Sequence, residues 1–206
     1  MSTSKYDGAA ATWSDDAYAD GRTYLRRRAE VIATLGGALQ PGETVLDLAC
    51  GDGGLGPHLM QRGLRYRGVD LNRAMVDAAE RRLSGRAEVE LADLNDFVPA
   101  APVSTTTLFR ALYYVRDRPT FFRNVLGYTE RKLVFDLNPR QYPLAEVRGE
   151  LRDAGFRTVV ARPFFVPQRF ALPLPVAATA RAAERSGVLA RAVLHFRFTY
   201  VVAATR

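Results

Sequence analysis

A glycine-rich turn directly after an apolar run is the part of this sequence best suited to ligand binding. It reads V-L-D-L-A-C-G-D-G-G-L-G over residues 45–56, with a carboxylate, Asp47, inside the apolar run. Glycines let the backbone of such a turn approach a ligand closely, and the free N–H groups of a following helix favour an anionic group. The pattern predicts a strand, a ligand-binding turn and a helix, with Asp47 near the carboxyl end of the strand.

Two further carboxylates follow the next two predicted strands. Asp70 lies in Y-R-G-V-D-L-N, and Asp93 follows the third strand in E-L-A-D-L-N-D-F. Because the carboxyl ends of parallel strands meet at one edge of a sheet, we expect Asp47, Asp70 and Asp93 to face one site. A carboxylate at the position of Asp70 can accept both hydroxyl groups of a ribose. Asn72 is better placed than Asp70 to cap the helix that follows.

These segments resemble motif I and the later acidic positions of class I, Rossmann-like S-adenosylmethionine-dependent methyltransferases. The resemblance implies that Asp47 and the glycine turn hold the amino-acid moiety of the cofactor. It also implies that Asp70 binds the ribose and that Asp93 binds the adenine amino group. The segment F-R-A-L-Y-Y-V-R-D after the fourth strand would line the methionine portion, with Tyr113 where many relatives carry His. The residues implied to contact S-adenosyl-L-methionine are Asp47, Ala49, Cys50, Gly51, Gly53, Asp70, Leu71, Asp93, Leu94, Phe109 and Arg110.

The same turn also satisfies a dinucleotide-binding pattern. Gly51, Gly53 and Gly56 spell G-x-G-x-x-G, and Asp70 follows at about the ~20-residue spacing of that fold. In a dinucleotide fingerprint, however, the strand before the first glycine is apolar, and Asp47 would sit awkwardly inside it. The methyltransferase interpretation is therefore favoured, and a nicotinamide oxidoreductase remains an alternative.

Candidate groups for proton transfer are sparse. The chain has two histidines, His58 and His195, and we expect both to be structural. The candidate pocket residues that could take part in catalysis are Tyr6, Tyr18 and Tyr113. The sulfonium of the cofactor already activates the methyl group, so we expect alignment of the reactants, rather than a dedicated base, to carry the reaction. We expect no metal site, because the sequence lacks a Cys/His cluster.

These residues are positioned by alternating helical and strand periods, which predict a parallel sheet covered by helices. The resemblance covers residues 45–155 and implies a Rossmann-like α/β fold, in which a mostly parallel sheet of seven strands has an antiparallel last strand and helices on both faces. A length of 206 residues predicts a single domain. Within it we expect a helical cap over about 1–40 and an insertion or lid over about 163–194. The predicted strands are 44–48, 65–69, 87–91, 104–110, 132–137, 157–162 and 195–203, and the longer helices are 22–38, 73–83, 119–127 and 143–154.

The charge of the chain is unevenly placed. The net charge of +7 lies wholly in residues 140–206, with 11 arginines and 4 acidic residues, whereas residues 1–139 carry 18 basic and 18 acidic side chains. A localised positive field attracts anionic partners, although an arginine-rich composition also explains much of the excess. We predict methyl transfer to O or N of a small organic or lipid-like acceptor. The positive field would suit an acceptor that carries an anionic group. An RNA acceptor and a catalytically inactive cofactor-binding module remain alternatives.

Sequence features also bear on location. Cys50 is the single cysteine, which excludes an internal disulfide. The N-terminus lacks the apolar region of a signal peptide, and no apolar run approaches the ~20 residues that span a bilayer. We therefore expect a cytoplasmic protein without a transmembrane segment, with at most weak contact to an anionic membrane surface through residues 163–194.

Overall fold

A computed structural model describes residues 10, 12–167, 170–193 and 199–206. Its seven strands are β1 (Thr44–Leu48), β2 (Arg65–Asp70), β3 (Glu88–Leu91), β4 (Val103–Leu108), β5 (Thr129–Leu137), β6 (Thr158–Pro163) and β7 (Tyr200–Thr205). They form one sheet in the order β3-β2-β1-β4-β5-β7-β6. Neighbouring strands from β3 to β5 are parallel, whereas β7 runs antiparallel to both β5 and β6. The predicted Rossmann-like fold class, with its antiparallel last strand, is confirmed.

Helices connect these strands. They are α1 (Trp13–Asp16), α2 (Gly21–Thr34), α3 (Gly56–Met60), α4 (Arg73–Leu83), α5 (Arg118–Tyr128), α6 (Leu144–Asp153), α7 (Leu174–Arg185) and α8 (Gly187–Val193), with a 3₁₀ turn at Leu112–Tyr114. Within the ranges that the structure describes, no helix is long and apolar enough to cross a membrane.

The register of the parallel strands brings the predicted site residues to one edge of the sheet. Asp47 pairs with Gly68 of β2 on one side and with Thr107 of β4 on the other. Asp70 pairs with Leu91 at the end of β3. The central strand β1 is almost wholly buried, because it lies between β2 and β4 with helices packed against the sheet. The carboxyl ends of β1, β2 and β4 therefore open onto a common space.

Helix α4 has the bounds that the sequence predicts. Asn72 caps it, its side-chain oxygen accepting from the N–H of Met75 at 3.0 Å. The prediction that Asn72, rather than Asp70, caps this helix is confirmed. The side chain of Asp70 faces the open space at the carboxyl edge of the sheet. Ser84 ends the helix in the left-handed conformation, with φ 51°.

Helix α2 ends four residues before its predicted end at 38. Leu35 is extended, and Gly36 follows with φ 70°. A Cβ on Gly36 would lie 2.9 Å from the Cβ of Ala203, so this turn packs directly on β7. Lys132, buried in β5, secures the same turn, its Nζ donating to the carbonyl oxygens of Leu35 at 2.7 Å and Gly37 at 2.5 Å. Contacts with the sheet, which local periodicity does not encode, end the helix.

Other bounds differ near the last strands. Strand β5 begins at Thr129 instead of 132, and β7 extends to Thr205 instead of ending at 203. The predicted start of the last strand, His195, lies outside the described residues, as does Tyr6. The segment 163–194 follows the carboxyl end of β6 and contains α7 and α8. Helix α1 was not predicted, because four residues carry too little periodicity to identify a helix.

Candidate active site

A cavity of about 790 Å³ lies at the carboxyl edge of the sheet. Its walls come from the carboxyl ends of β1 and β2, from residues after β1, β2, β3 and β4, and from α1 and α2. None of the described residues of 163–194 lines it. The sequence-predicted residues that line it are Tyr18, Asp47, Ala49, Cys50, Gly51, Asp70, Leu71, Asp93, Leu94, Phe109, Arg110 and Tyr113.

Asp47 is the most buried carboxylate of the cavity wall after Asp52, with 4% of its surface exposed. Its Oδ2 accepts from the hydroxyl of Tyr66 at 2.9 Å, and its Oδ1 accepts from that of Thr107 at 2.7 Å. Burial raises the pKa of Asp47 to about 6, although these two hydrogen bonds and the charge of Arg28 oppose the shift. The charged form is thus held in place by hydrogen bonds but poorly solvated.

The glycine turn itself is held by backbone bonds and by packing. Cys50 donates its N–H to the carbonyl of Val69 at 2.9 Å, and burial raises the pKa of its thiol well above the usual range. Gly53 does not line the cavity. It has φ 69°, and a Cβ there would lie 3.0 Å from the Cβ of Ala79 in α4. Its place in the motif is explained by close packing of the turn against α4 rather than by a position on the cavity wall.

Asp70 links the glycine turn to the start of α4. Its Oδ2 accepts from the N–H of Gly51 at 2.8 Å, and its Oδ1 accepts from the N–H of Asn72 at 2.9 Å. Burial raises the pKa of Asp70, against the opposing effect of these backbone donors. Each carboxylate oxygen has a further lone pair, so the group can accept ligand hydroxyls without releasing its backbone partners.

Asp93 stands at the far side of the cavity, and both of its oxygens have partners. Oδ1 accepts from the backbone N–H of Asn95 at 2.9 Å and from its side-chain amide at 2.7 Å. Oδ2 accepts from the guanidinium of Arg116. Burial would raise the pKa of Asp93, but these donors and the charge of Arg116 outweigh it and hold the pKa below its usual value. A ligand amino group here must share the carboxylate with Arg116, a pairing that the sequence did not reveal.

A second buried carboxylate in the turn, Asp52, was missed by the sequence reading. It accepts from the N–H of Ser14 at 2.9 Å and from Arg82 at 2.8 Å, and it also accepts from the Ser14 hydroxyl. It thereby fastens α1 and α4 to the glycine turn and places Trp13 beside Gly51, where a Cβ on the glycine would be 3.5 Å from the indole. In the sequence, the only sign of this role is that Asp52 is an acidic residue inside the G-D-G-G run.

Two arginines, Arg28 from α2 and Arg110 after β4, complete the wall of the cavity. Arg28 is buried, donates to the hydroxyl of Tyr24 at 2.9 Å and lies 3.7 Å from the carboxylate of Asp136. Its guanidinium also stacks on Phe109, 4.2 Å from the ring centre. Arg110 follows β4, and its backbone N–H donates to Asp136 at 2.7 Å. Neither Arg28 nor Asp136 was singled out from the sequence, because neither lies in the motif segments.

The candidate proton-transfer groups fall into two sets. Tyr18 and Tyr113 line the cavity, whereas His58 lies in α3 and does not line it. Burial and the nearby charges of three arginines lower the pKa of His58, which fits a structural role. In the part of the chain that the structure describes, no three His, Cys, Asp or Glu side chains are grouped as a metal site.

Comparisons with known proteins show what the chain and its fold are similar to. Residues 45–131 match the model of a family described as a methyltransferase domain. No curated protein matches the sequence significantly. The structure resembles a TehB-like SAM-dependent methyltransferase from Corynebacterium glutamicum, with 15% identity, 100% of each chain covered and a TM-score of 0.70.

Two other solved structures share the fold. Magnesium protoporphyrin IX methyltransferase from Synechocystis, solved with bound SAM, has 18% identity over 91% of this chain and 82% of that chain, with a TM-score of 0.62. The [4+2]-cyclase SpnF has 15% identity over 99% of this chain and 94% of that chain, with a TM-score of 0.68. At such low identity these likenesses show the fold alone. The family match contains the glycine turn and the three acidic positions, so residues 45–131 are similar to a methyltransferase domain, within a fold that solved SAM-dependent methyltransferases share.

Proposed function

We propose that the cavity binds S-adenosylmethionine and that the protein transfers its methyl group to O or N of a small organic acceptor. One observation carries the proposal: Asp47, Gly51, Asp70 and Asp93, which are separated in sequence, line a single cavity at the carboxyl edge of the sheet. Its volume of about 790 Å³ lies within the usual range for small-molecule sites, roughly 300–1,000 Å³.

The chemistry of the wall fits the parts of the cofactor in order. Asp47 and the turn backbone at Ala49 and Cys50 would hold the amino-acid moiety, where a poorly solvated carboxylate favours an ammonium group. Asp70, with Leu71, would accept the ribose hydroxyls through its remaining lone pairs. Asp93 and the backbone of Leu94 would receive the adenine, while Gly53 supports the turn from behind.

The acceptor would enter beside aromatic side chains from α1, from the segment between α1 and α2, and from the 3₁₀ turn. Trp13, Tyr18 and Tyr113 line that part of the cavity, which suits an aromatic or otherwise apolar acceptor body. When bound, the cofactor supplies a methyl group already activated by its sulfonium. The contribution of the chain is then to align the acceptor with that group and to exclude water, so no dedicated base is required for a carboxylate or a neutral amine.

Calorimetric titration with S-adenosylhomocysteine, S-adenosylmethionine and NADH tests this proposal. We expect micromolar binding of both sulfur compounds and no binding of NADH. Replacing Asp70 with Ala should weaken S-adenosylhomocysteine binding by about 10- to 100-fold, because hydrogen bonds to a charged group contribute roughly 1.5–3 kcal/mol. Asp77→Ala, which removes the same charge from the exposed side of α4, is the matched control and should bind as the parent does.

Each contrary result has a definite meaning. Unchanged affinity in a folded Asp70→Ala protein refutes the ribose assignment. Binding of NADH alone favours the oxidoreductase alternative, and binding of none of the three compounds overturns the proposed site. If both sulfur compounds bind, a screen of small phenols, amines and carboxylic acids, with RNA oligonucleotides as a separate arm, identifies the class of acceptor.

A further inference from the structure

Arg110 has an unusual backbone conformation for a residue with a side chain. It directly follows the buried Phe109 after β4, with φ 53°, a region that non-glycine residues seldom occupy. Its N–H donates to the Oδ1 of Asp136 at 2.7 Å, which holds the strained turn. Such strain concentrates at functional sites, where it directs a side chain that a relaxed backbone would point elsewhere.

The strained turn directs the guanidinium of Arg110 into the aromatic part of the cavity. Its central carbon lies 5.6 Å from the ring centre of Trp13 and 5.5 Å from that of Tyr18. Tyr18 is itself fixed by stacking on Tyr24 at 4.0 Å between ring centres. The head group of Arg110 therefore lies among side chains that hold it in one position.

The Nη1 atom of Arg110 is buried and has no hydrogen-bond acceptor among the described residues. Leaving a buried donor of a charged group unsatisfied costs free energy that a suitable acceptor would recover. In the same described part of the chain, Arg110 forms no ion pair, whereas Arg28 has Asp136 at 3.7 Å and the hydroxyl of Tyr24. Asp136 accepts the backbone N–H of Arg110, and its charge also acts on the guanidinium of Arg110 without forming an ion pair with it. Two neighbouring guanidinium groups thus share one carboxylate, so protein groups balance the positive charge of Arg110 only in part and an anionic ligand would complete the balance.

We propose that Arg110 binds a carboxylate group of a ligand in the cavity. A guanidinium presents planar N–H donors whose geometry matches the two oxygens of a carboxylate, and the neighbouring rings orient that plane. Two carboxylates are candidates for this position: that of the cofactor's amino-acid moiety and one carried by the acceptor. The inference rests on the proposed function for the presence of the cofactor. For the acceptor, it specifies an aromatic or aliphatic compound that carries a carboxylate.

The test compares three probes on the purified full chain. S-adenosylhomocysteine carries the amino-acid carboxylate, and 5′-methylthioadenosine lacks it. Benzoate, titrated into protein saturated with S-adenosylhomocysteine, reports an acceptor carboxylate, with benzyl alcohol as its uncharged counterpart. The variant is Arg110→Met, which keeps the length of the side chain. Arg123→Met removes the same charge from the exposed side of α5 and serves as the matched control.

Two outcomes support the inference and distinguish the source. Loss of at least tenfold in S-adenosylhomocysteine affinity, with 5′-methylthioadenosine unaffected, assigns the cofactor's carboxylate to Arg110. A tenfold loss of benzoate affinity, with S-adenosylhomocysteine unaffected and benzyl alcohol never bound tightly, assigns an acceptor carboxylate. Arg110→Lys should recover part of either loss, because it restores the charge without the planar donors.

Other outcomes overturn it. Affinities within twofold of the parent for both S-adenosylhomocysteine and benzoate show that Arg110 binds no carboxylate. Equal weakening of S-adenosylhomocysteine and 5′-methylthioadenosine, without recovery in Arg110→Lys, shows that the side chain only shapes the wall. Failure of the parent protein to bind any cofactor refutes the proposed function instead, and benzoate binding to the free protein then tests Arg110 separately.

Discussion

Replacing Asp47 with Asn should stabilise the protein while weakening its binding of cofactor. Asp47 is almost fully buried, and its pKa rises from 3.8 to about 6 on folding. A shift of about 2 pKa units corresponds to about 3 kcal/mol at pH 7.5, at 1.36 kcal/mol per unit. Because the folded state binds the proton more tightly, this cost is absent below pH 4, grows as the pH rises and is complete above pH 6.

The substituted amide can keep most of the local hydrogen bonds. The hydroxyl of Thr107 already lies 3.3 Å from the carbonyl of Leu46, so it can donate there and accept from the new amide nitrogen. Tyr66 can continue to donate to the amide oxygen. The gain in free energy of unfolding should therefore approach about 3 kcal/mol at pH 7.5 and fall to about half of that at pH 5.

Urea unfolding of parent and variant at pH 5 and pH 7.5, followed by calorimetry with S-adenosylhomocysteine, measures both effects. Asp153→Asn, an exposed carboxylate at the end of α6, is the control and should change stability by less than about 0.5 kcal/mol. A variant that is no more stable than the parent at pH 7.5, or a gain that does not depend on pH, would refute the reasoning. Unchanged cofactor affinity would remove Asp47 from the proposed ammonium site.

Two more predictions concern the site and its support. The affinity for S-adenosylhomocysteine should fall by up to about tenfold per pH unit below pH 6, because protonation of Asp47 removes the negative charge that attracts the ammonium group; a flat calorimetric profile between pH 5 and pH 7 would contradict this. Lys132→Met should lower the free energy of unfolding by about 1–3 kcal/mol, because the carbonyls of Leu35 and Gly37 lose their donor. Cofactor affinity in the folded variant should be unchanged, and equal stability in urea would show that Lys132 does not secure the end of α2.

The sequence was sufficient for the features that repeat along the chain or lie within one short segment. Alternating strand and helix periods predicted the sheet and most of its order of elements, and the structure confirms the fold class. The similarity to a methyltransferase domain was recognisable because the glycine turn and Asp70 keep fixed positions relative to β1 and β2. The cap at Asn72 was readable for the same reason, since a cap and its helix are neighbours in sequence. The roles of the individual site residues stay predictions until binding is measured.

Tertiary structure decided what depends on residues distant in sequence. The pairing of Asp93 with Arg116 and the unsatisfied donor of Arg110 arise only when loops from different strands meet at one edge. The raised pKa of Asp47 depends on burial, which the order of residues does not report. Local patterns are set by backbone geometry over a few residues, so one segment suffices to show them. Electrostatics and packing depend on distances through space, and these exist only once the sheet has brought its carboxyl ends together.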